Sequence, residues 1–164
     1  MSATTEYVRL SATELAELRR RLATAPESAY EYIEGIGFSD GMDGVVGRGT
    51  HLDRAWAGLQ YLLDLAGPPP VDVIGGGVAL TDHNWDYDTP RLLTQDEVSK
   101  AADFLSSTPF DRLAEHFDVI AMGGVYPEYW AEDDLNYLAD QYLNLVDFFC
   151  VAARQRQAVV VALA

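Results

Sequence analysis

The sequence is poor in cysteine and in long apolar runs, and each shortage excludes a class of protein. Its one cysteine, Cys150, excludes an intramolecular disulfide and the paired-cysteine spacing of a zinc site, which favours a reducing setting. The longest late apolar run, residues 158–164, covers about a third of a membrane span. The first residues mix acids with bases and lack the apolar core of a signal peptide. We therefore expect a cytoplasmic protein without a membrane partner.

Lysine is also scarce, and the charge is strongly one-sided. The chain has 11 Lys and Arg residues, among which Lys100 is the one lysine, against 26 Asp and Glu residues, for a net charge of −15. Such a field repels the phosphates of nucleic acids and lipids, and it attracts basic surfaces over a Debye length of about 8 Å. The composition thus predicts no nucleic-acid partner and permits a basic protein partner. The alternative is that the acidity serves solubility alone.

The standard catalytic motifs are absent as well. The sequence contains no GxSxG, no HExxH, no complete phosphate loop and no dinucleotide fingerprint. With 164 residues the chain is long enough to form one domain, residues 1–164, whose core needs neither a disulfide nor a structural metal. Motifs and composition therefore favour a binding domain over an enzyme.

Two capping boxes mark the starts of helices. Residues 6–10, EYVRL, predict a strand, and Ser11 with Glu14 three residues later predicts that a helix follows at once. Thr94 and Glu97 repeat the same spacing before a second amphipathic segment. In each box the two side chains satisfy backbone N–H groups that the first helical turn leaves without partners.

Three further helices follow from apolar periodicity. The densest pattern is residues 52–63, LDRAWAGLQYLL, for which Thr50 is the predicted cap. Thr108 is the predicted cap of a short helix with Pro109 at its first position. Residues 133–156 predict a long helix with leucines and aromatics at three- and four-residue steps.

The remaining apolar runs predict strands. Residues 71–74 predict a short buried strand, and residues 157–163, QAVVVAL, predict a strand that closes the sheet. We expect this last strand to lie beside residues 6–10. The expected class is α+β, a single domain with several helices packed on a small sheet that includes the N-terminal and C-terminal strands.

Two patches carry a family resemblance. Residues 52–63 follow the pattern L-D-[KR]-x-W-x-x-L-x-[FY]-x-L, and residues 125–130, VYPEYW, place a tyrosine-proline pair near a tryptophan. In both patches the chain resembles the YfbM-like family of small bacterial proteins, a domain of unknown function. The resemblance implies a fold and landmarks rather than a reaction. Gln60 stands where members of that family often have histidine, which argues against a shared catalytic mechanism.

One loop carries candidate metal ligands. Residues 81–91, TDHNWDYDTPR, concentrate oxygen and imidazole ligands of the types that Mg²⁺, Mn²⁺ or Zn²⁺ accept. Arg91 at the end of the loop is placed to hold an anionic group. The candidate ligands are Asp82, His83, Asp86 and Asp88. The alternative is an exposed acidic loop with its aromatic residues tucked onto the core.

Aromatic residues suggest a second candidate site. Tyr126, Tyr129 and Trp130 predict either a cap on the core or the lining of a cleft. A small-ligand pocket would combine aromatic residues from separate segments with a polar anchor. Its candidate residues are Trp56, Tyr87, Arg91, Tyr126 and Trp130.

Three functions remain in competition. The first is a non-enzymatic cytoplasmic interaction protein that neutralises or regulates a basic partner, as immunity-type and antitoxin-like proteins do. The second is a metal-assisted enzyme such as a hydrolase, with a divalent cation as its one cofactor. The third is a small-ligand-binding domain with an aromatic pocket. The sequence does not define the oligomeric state.

Overall fold

The computed structural model describes residues 3–37, 47–85 and 88–164 of the protein. In these ranges the chain forms six α-helices, five β-strands and a short 3-10 turn, Asp53–Ala55, that leads into the third helix. The helices are α1 (Ala12–Thr24), α2 (Pro26–Ile36), α3 (Trp56–Ala66), α4 (Gln95–Ser107), α5 (Phe110–Ala114) and α6 (Asp134–Arg154). The strands are β1 (Thr5–Leu10), β2 (Gly49–His51), β3 (Val78–Ala79), β4 (Arg91–Leu93) and β5 (Ala158–Leu163).

The strands form one antiparallel sheet in the order β2-β1-β5-β4-β3. β1 and β5 pair along their whole lengths, from Thr5 opposite Leu163 to Leu10 opposite Ala158. Each is rich in β-branched or aromatic residues, which suit a strand that is buried on both faces. The predicted α+β fold, with a small sheet that includes the N-terminal and C-terminal strands, is confirmed.

Helices cover both faces of the sheet because successive side chains of a strand point to opposite sides. Val8 and Val160 point to one face, where α1 and α2 pack against them. Tyr7 and Val161 point to the other face and join a larger core with the residues of α3 to α6. The molecule therefore has three layers, with the sheet in the middle.

Tyr7 connects the sheet to the helix and the turn that pack against it. Its side chain is fully buried, and its ring contacts Phe148 and Phe149 of α6 at centroid distances of 5.8 and 6.0 Å. Its hydroxyl donates a hydrogen bond of 2.8 Å to the carbonyl of Val73. One side chain thus connects β1, the longest helix and the turn before β3.

The amphipathic pattern of α6 matches its position. Leu138 and Leu145 are buried, whereas Asp140 and Asp147 are exposed. In the part of the chain that the structure describes, no helix combines the length and the apolar character that crossing a membrane requires. The acidic residues Asp140 and Asp147 lie on the solvent side of this helix.

Both predicted capping boxes are confirmed. The Ser11 hydroxyl accepts a hydrogen bond from the backbone N–H of Glu14, whose carboxylate accepts one from the N–H of Ser11. Thr94 and Glu97 make the same reciprocal pair at the start of α4. A spacing of three residues was enough to place both helix starts, because the interaction is local.

The two other predicted caps are wrong. Thr50 lies buried in β2, and its hydroxyl accepts a hydrogen bond of 2.7 Å from the side-chain amide of Asn144. Pro109 rather than Thr108 is the N-cap of α5, while the Thr108 carbonyl accepts a hydrogen bond of 2.7 Å from the Tyr142 hydroxyl. In both places a distant residue of α6 takes the threonine as its partner, which sequence spacing does not reveal.

The predicted strand at residues 71–74 is also wrong. Val73 and Ile74 are buried, but the segment is a turn. The Asp72 carboxylate accepts hydrogen bonds from the N–H groups of Ile74 and Gly75 at 3.1 and 2.8 Å, so the side chain replaces a strand partner. β2 and β4 were not predicted, because three residues give too short a pattern.

The capping box of α4 gives a stability prediction. Thr94→Ala removes the acceptor for the Glu97 N–H and should lower the free energy of unfolding by about 1 kcal/mol. The matched control is Ser99→Ala on the exposed side of the same helix, which should leave stability unchanged or slightly raised. Urea unfolding followed by circular dichroism measures both. Equal midpoints for the two variants would contradict the capping role.

Candidate functional site

A cleft opens beside the start of α6, and we call it the aromatic cleft. Its volume is about 480 Å³, within the range of small-ligand sites. Two separate stretches of chain, 53–54 and 127–137, bring its walls together. The lining residues are Asp53, Arg54, Pro127, Tyr129, Trp130, Ala131, Asp134 and Tyr137.

Trp130 forms the floor of the aromatic cleft. Its side chain is 6% exposed, and its indole N–H donates a hydrogen bond of 3.0 Å to the Val125 carbonyl. The ring lies so close to α3 that a methyl group on Gly58 would come within 2.6 Å of it. Glycine at position 58 therefore allows the indole to seat against the helix.

Tyr137 and Asp53 form the polar wall. The Tyr137 hydroxyl donates a hydrogen bond of 2.6 Å to Oδ2 of Asp53 and accepts one of 3.2 Å from the backbone N–H of Arg54. Burial and the adjacent Asp53 carboxylate raise the pKa of Tyr137 above its ordinary value of 10.0. The phenol therefore stays neutral across the physiological range and holds the carboxylate in place.

The segment between residue 127 and α6 supplies the rest of the lining. The Asp134 carboxylate accepts a hydrogen bond of 2.8 Å from the Ala131 N–H, which fixes the turn into the helix. Glu128 has a φ of 76°, in the left-handed region that few non-glycine residues adopt. The side chain of Tyr129 is 78% exposed and stands at the rim. This wall therefore presents a carboxylate and an open aromatic face.

The predicted aromatic residues do not all meet in one pocket. Trp56 and Tyr126 stack on each other at 5.5 Å with an interplanar angle of 25°. Both hold the main chain of Ala3: the Trp56 indole donates to its carbonyl at 3.0 Å, and the Tyr126 hydroxyl accepts from its N–H at 2.9 Å. Trp130 alone of the predicted set lines the aromatic cleft, and Tyr87 lies outside the described residues.

Arg91 lies in β4, away from the cleft. Its guanidinium donates a hydrogen bond of 3.2 Å to the carbonyl of Gly77, next to the edge strand β3. The structure thus shows a main-chain contact for this residue, and its predicted role in holding a ligand stays a prediction.

The candidate metal ligands lie on the surface. Asp82, His83 and Asp88 are exposed, and the Asp88 carboxylate accepts a hydrogen bond of 2.7 Å from the N–H of Thr89. Asp86 lies outside the described residues. Across ranges 3–37, 47–85 and 88–164, no three His, Cys, Asp or Glu side chains are grouped as metal ligands. The proposed four-residue site therefore stays a prediction.

Sequence reasoning identified Trp130 and the adjoining Tyr129 but missed the other half of the cleft. Asp53, Arg54 and Tyr137 gave no signal, because the hydrogen bond that joins Tyr137 to Asp53 spans 84 positions of the chain. The left-handed backbone of Asp53, with φ at 48°, has no signature in the sequence either. Only the fold brings these residues together.

The exposed charge is unevenly distributed. Residues 94–155, which contain α4, α5 and α6, have twelve Asp and Glu residues against three Lys and Arg residues, and we call this region the acidic layer. Most of its carboxylates face solvent. The exposed ones are Asp96, Asp103, Asp111, Glu115, Asp118, Glu128, Glu132, Asp133, Asp140 and Asp147.

Ion pairs gather at the other side of the sheet. Glu17 pairs with Arg20 and Arg21, which lower the pKa of its carboxyl to about 2, and Glu14 pairs with Arg48. Among the residues that the structure describes, no carboxylate of the acidic layer has an ion pair of this kind. The negative field of the acidic layer is therefore not neutralised within these parts of the chain.

Comparison with known proteins adds a family and a fold. A family model described as "Domain of unknown function (DUF1877)" matches residues 1–162. No curated protein matches the chain. Among solved structures, the crystal structure of a protein of unknown function, YfbM from Escherichia coli, matches with a TM-score of 0.67 and 16% identity, covering 100% of both chains. At this identity the likeness shows a shared fold and nothing about a ligand.

The contact between Gly58 and Trp130 gives a second prediction. Gly58→Ala would force the indole to shift, and overpacking should cost about 1 to 3 kcal/mol, more than the gain in helix propensity of about 1 kcal/mol. The control is Gly35→Ala in α2, where an added methyl group meets nothing within 4 Å and only the propensity gain applies. Thermal unfolding should therefore move in opposite directions for the two variants, and shifts of the same sign would contradict the packing argument.

The hydrogen bond from Tyr137 to Asp53 gives a prediction about pH. Tyr137→Phe should destabilise the fold by about 1 kcal/mol at neutral pH. Because the folded-state pKa of Tyr137 is raised, its contribution is fully present below the ordinary value of 10.0 and is lost as pH rises through the folded value. The difference between wild type and variant should thus be constant up to about pH 9 and shrink above about pH 10. Urea unfolding at a series of pH values measures it, and a difference that grows in alkali would rule the linkage out.

Proposed function

The chain belongs to the family described as a domain of unknown function (DUF1877), and we propose that it is an acidic interaction domain that binds a basic protein partner. The observation that carries this proposal is the acidic layer. Five of its exposed carboxylates belong to helices that the core holds in place, which makes that part of the charge a fixed field rather than a flexible acidic tail. They are Asp96, Asp103, Asp111, Asp140 and Asp147. We place the protein in the cytoplasm, where it would neutralise or regulate its partner as immunity-type and antitoxin-like proteins do.

The arrangement of α4 and α6 supports a partner that meets a broad surface. The two helices pack against each other, and both bury their apolar side in the same core. Asp96 and Asp103 of α4 and Asp140 and Asp147 of α6 are exposed on the solvent side. These carboxylates outnumber the one exposed cation of α4, Lys100, and a surface of such net negative charge raises the rate of encounter with a basic surface and disfavours anionic partners.

The state of the exposed carboxylates also affects the free-energy cost of binding. A carboxylate that already has an ion pair must lose it before it can meet a partner's arginine or lysine. In the described part of the acidic layer no such internal ion pair is present. Association would therefore add charge pairs without first breaking others.

A metal-assisted reaction at residues 81–91 has less support. Asp82, His83 and Asp88 are exposed, and the described residues contain no grouping of metal ligands. We therefore prefer a binding function to an enzymatic one.

The test is a partner search followed by a salt series. The purified protein, immobilised and cross-linked at low salt in extract of its source organism, should retain a basic protein that an unrelated acidic protein of similar size and charge does not retain. The dissociation constant of the purified pair should rise steeply between about 50 and 300 mM salt, because screening shortens the range of the field. No specifically retained protein, or an affinity insensitive to salt, would overturn the proposal.

A further inference from the structure

We propose that the aromatic cleft receives an arginine side chain of the basic partner and so provides the specific anchor of the interaction. This inference rests on the proposed function. The acidic layer attracts a basic partner at long range, but charge alone provides no shape complementarity. A cleft of about 480 Å³ is large enough for one long side chain with part of its neighbours. Interfaces commonly concentrate their binding energy in such a pocket.

The aromatic residues of the cleft suit a flat cation. Tyr129 offers an exposed ring at the rim, and Tyr137 and Trp130 line the interior. A guanidinium is planar and weakly hydrated, so it stacks on an aromatic face with less loss of solvation than an ammonium group. The protein already contains one such contact, where the guanidinium of Arg21 lies 4.8 Å from the centre of the Tyr32 ring.

The charges around the cleft favour the same occupant. Residues 127–134, PEYWAEDD, have four carboxylates, and Asp53 adds another from a separate stretch of the chain. Oδ2 of Asp53 accepts the Tyr137 hydrogen bond, which leaves Oδ1 without a hydrogen-bond partner among the described residues. A guanidinium in the cleft would find carboxylate acceptors in Asp53 and Asp134, which both line it.

Two features of the cleft disfavour the binding of a cation, and they provide a way to test the proposal. Arg54 lines the cleft, and the N-terminal end of α6 carries the positive end of the helix dipole. The carboxylates outnumber these charges, but Arg54 should repel the incoming arginine. Removal of Arg54 should therefore strengthen binding, whereas an anionic or purely apolar occupant would respond in the opposite way or not at all.

The backbone indicates that the fold holds this geometry in place. The described residues include three non-glycine positions with positive φ, Asp53, Glu128 and Arg156, and two of them flank the aromatic cleft. Left-handed backbone at non-glycine residues is uncommon and costs free energy, and such positions concentrate at binding sites. Asp53 lines the cleft, and Glu128 lies between the lining residues Pro127 and Tyr129.

The experiment is a titration of the isotopically labelled full chain with N-acetylarginine amide, followed by nuclear magnetic resonance. Shifts should concentrate on the Trp130 indole N–H and on residues 127–137. N-acetyllysine amide should bind at least about threefold more weakly, because its ammonium group stacks less well. Equal affinity for both probes, or shifts spread evenly over the acidic layer, would overturn the assignment.

Variants of the protein provide the second part of the test. Tyr129→Ala should weaken binding of the arginine probe about fivefold, since a cation–π contact at an exposed site is lost, while Ile120→Ala, another exposed bulky side chain, should leave it unchanged. Arg54→Ala should strengthen binding about twofold to fivefold, whereas Arg112→Ala, the same charge change on α5, should have a smaller effect. Equal effects within either pair would overturn the cleft as the site. Circular dichroism confirms that each variant is folded.

The two proposals can fail separately. If the partner binds in a salt-dependent way but Tyr129→Ala binds it as wild type does, the acidic interaction domain stands and the anchoring cleft is wrong. If no basic partner exists, the titration with N-acetylarginine amide still decides whether the cleft takes a guanidinium. A cleft that binds the probe in a protein without a basic partner would assign it to a small ligand and overturn the anchoring role.

Discussion

The antiparallel pairing of β1 with β5 is the constraint on which the rest of the structure depends. It joins the two ends of the described chain residue by residue, from Thr5 opposite Leu163 to Leu10 opposite Ala158. Because side chains alternate along a strand, a slip of one position would exchange Tyr7 with Val8 and move every apolar residue to the wrong layer. The register therefore decides which helices pack on which face, and with them where α6 begins and where the aromatic cleft lies.

Local signals predicted those parts of the fold that local interactions determine. The boxes Ser11 with Glu14 and Thr94 with Glu97 were found from spacing, and the apolar run at the end of the chain predicted β5. Thr50 was misassigned because its partner, Asn144, lies 94 positions away. The same reason hid half of the cleft, whose polar wall requires Tyr137 of α6 to meet Asp53 before α3. Trp130 was identified because it lies in residues 125–130, VYPEYW, a stretch that carries the family resemblance and clusters three aromatic residues.

The three-layer architecture separates two kinds of surface charge. On the side of α1, Glu17 pairs with Arg20 and Arg21, and Glu14 pairs with Arg48. On the side of α4 to α6, carboxylates face solvent both from the connecting turns and from helices whose other side is packed into the larger core. Packing of the helices into the core therefore fixes the positions of their surface charges. On a flexible chain the same charges would change position continuously. A chain of the same composition without this packing would have the charge but not the directional field.

The place of β5 in the sheet has a consequence for aggregation. Its sequence, AVVVAL, combines β-branched residues, no charge and no proline, which are the features of segments that form intermolecular cross-β structure. In the native fold this strand lies between β1 and β4, so both of its backbone edges are paired, and the edge strands of the described sheet are β2 and β3, of three and two residues. Short edges offer little template for another chain. The hazard is therefore confined to molecules in which β5 has left the sheet, and because β1 and β4 precede β5 in the chain, both of its pairing partners are synthesised before it.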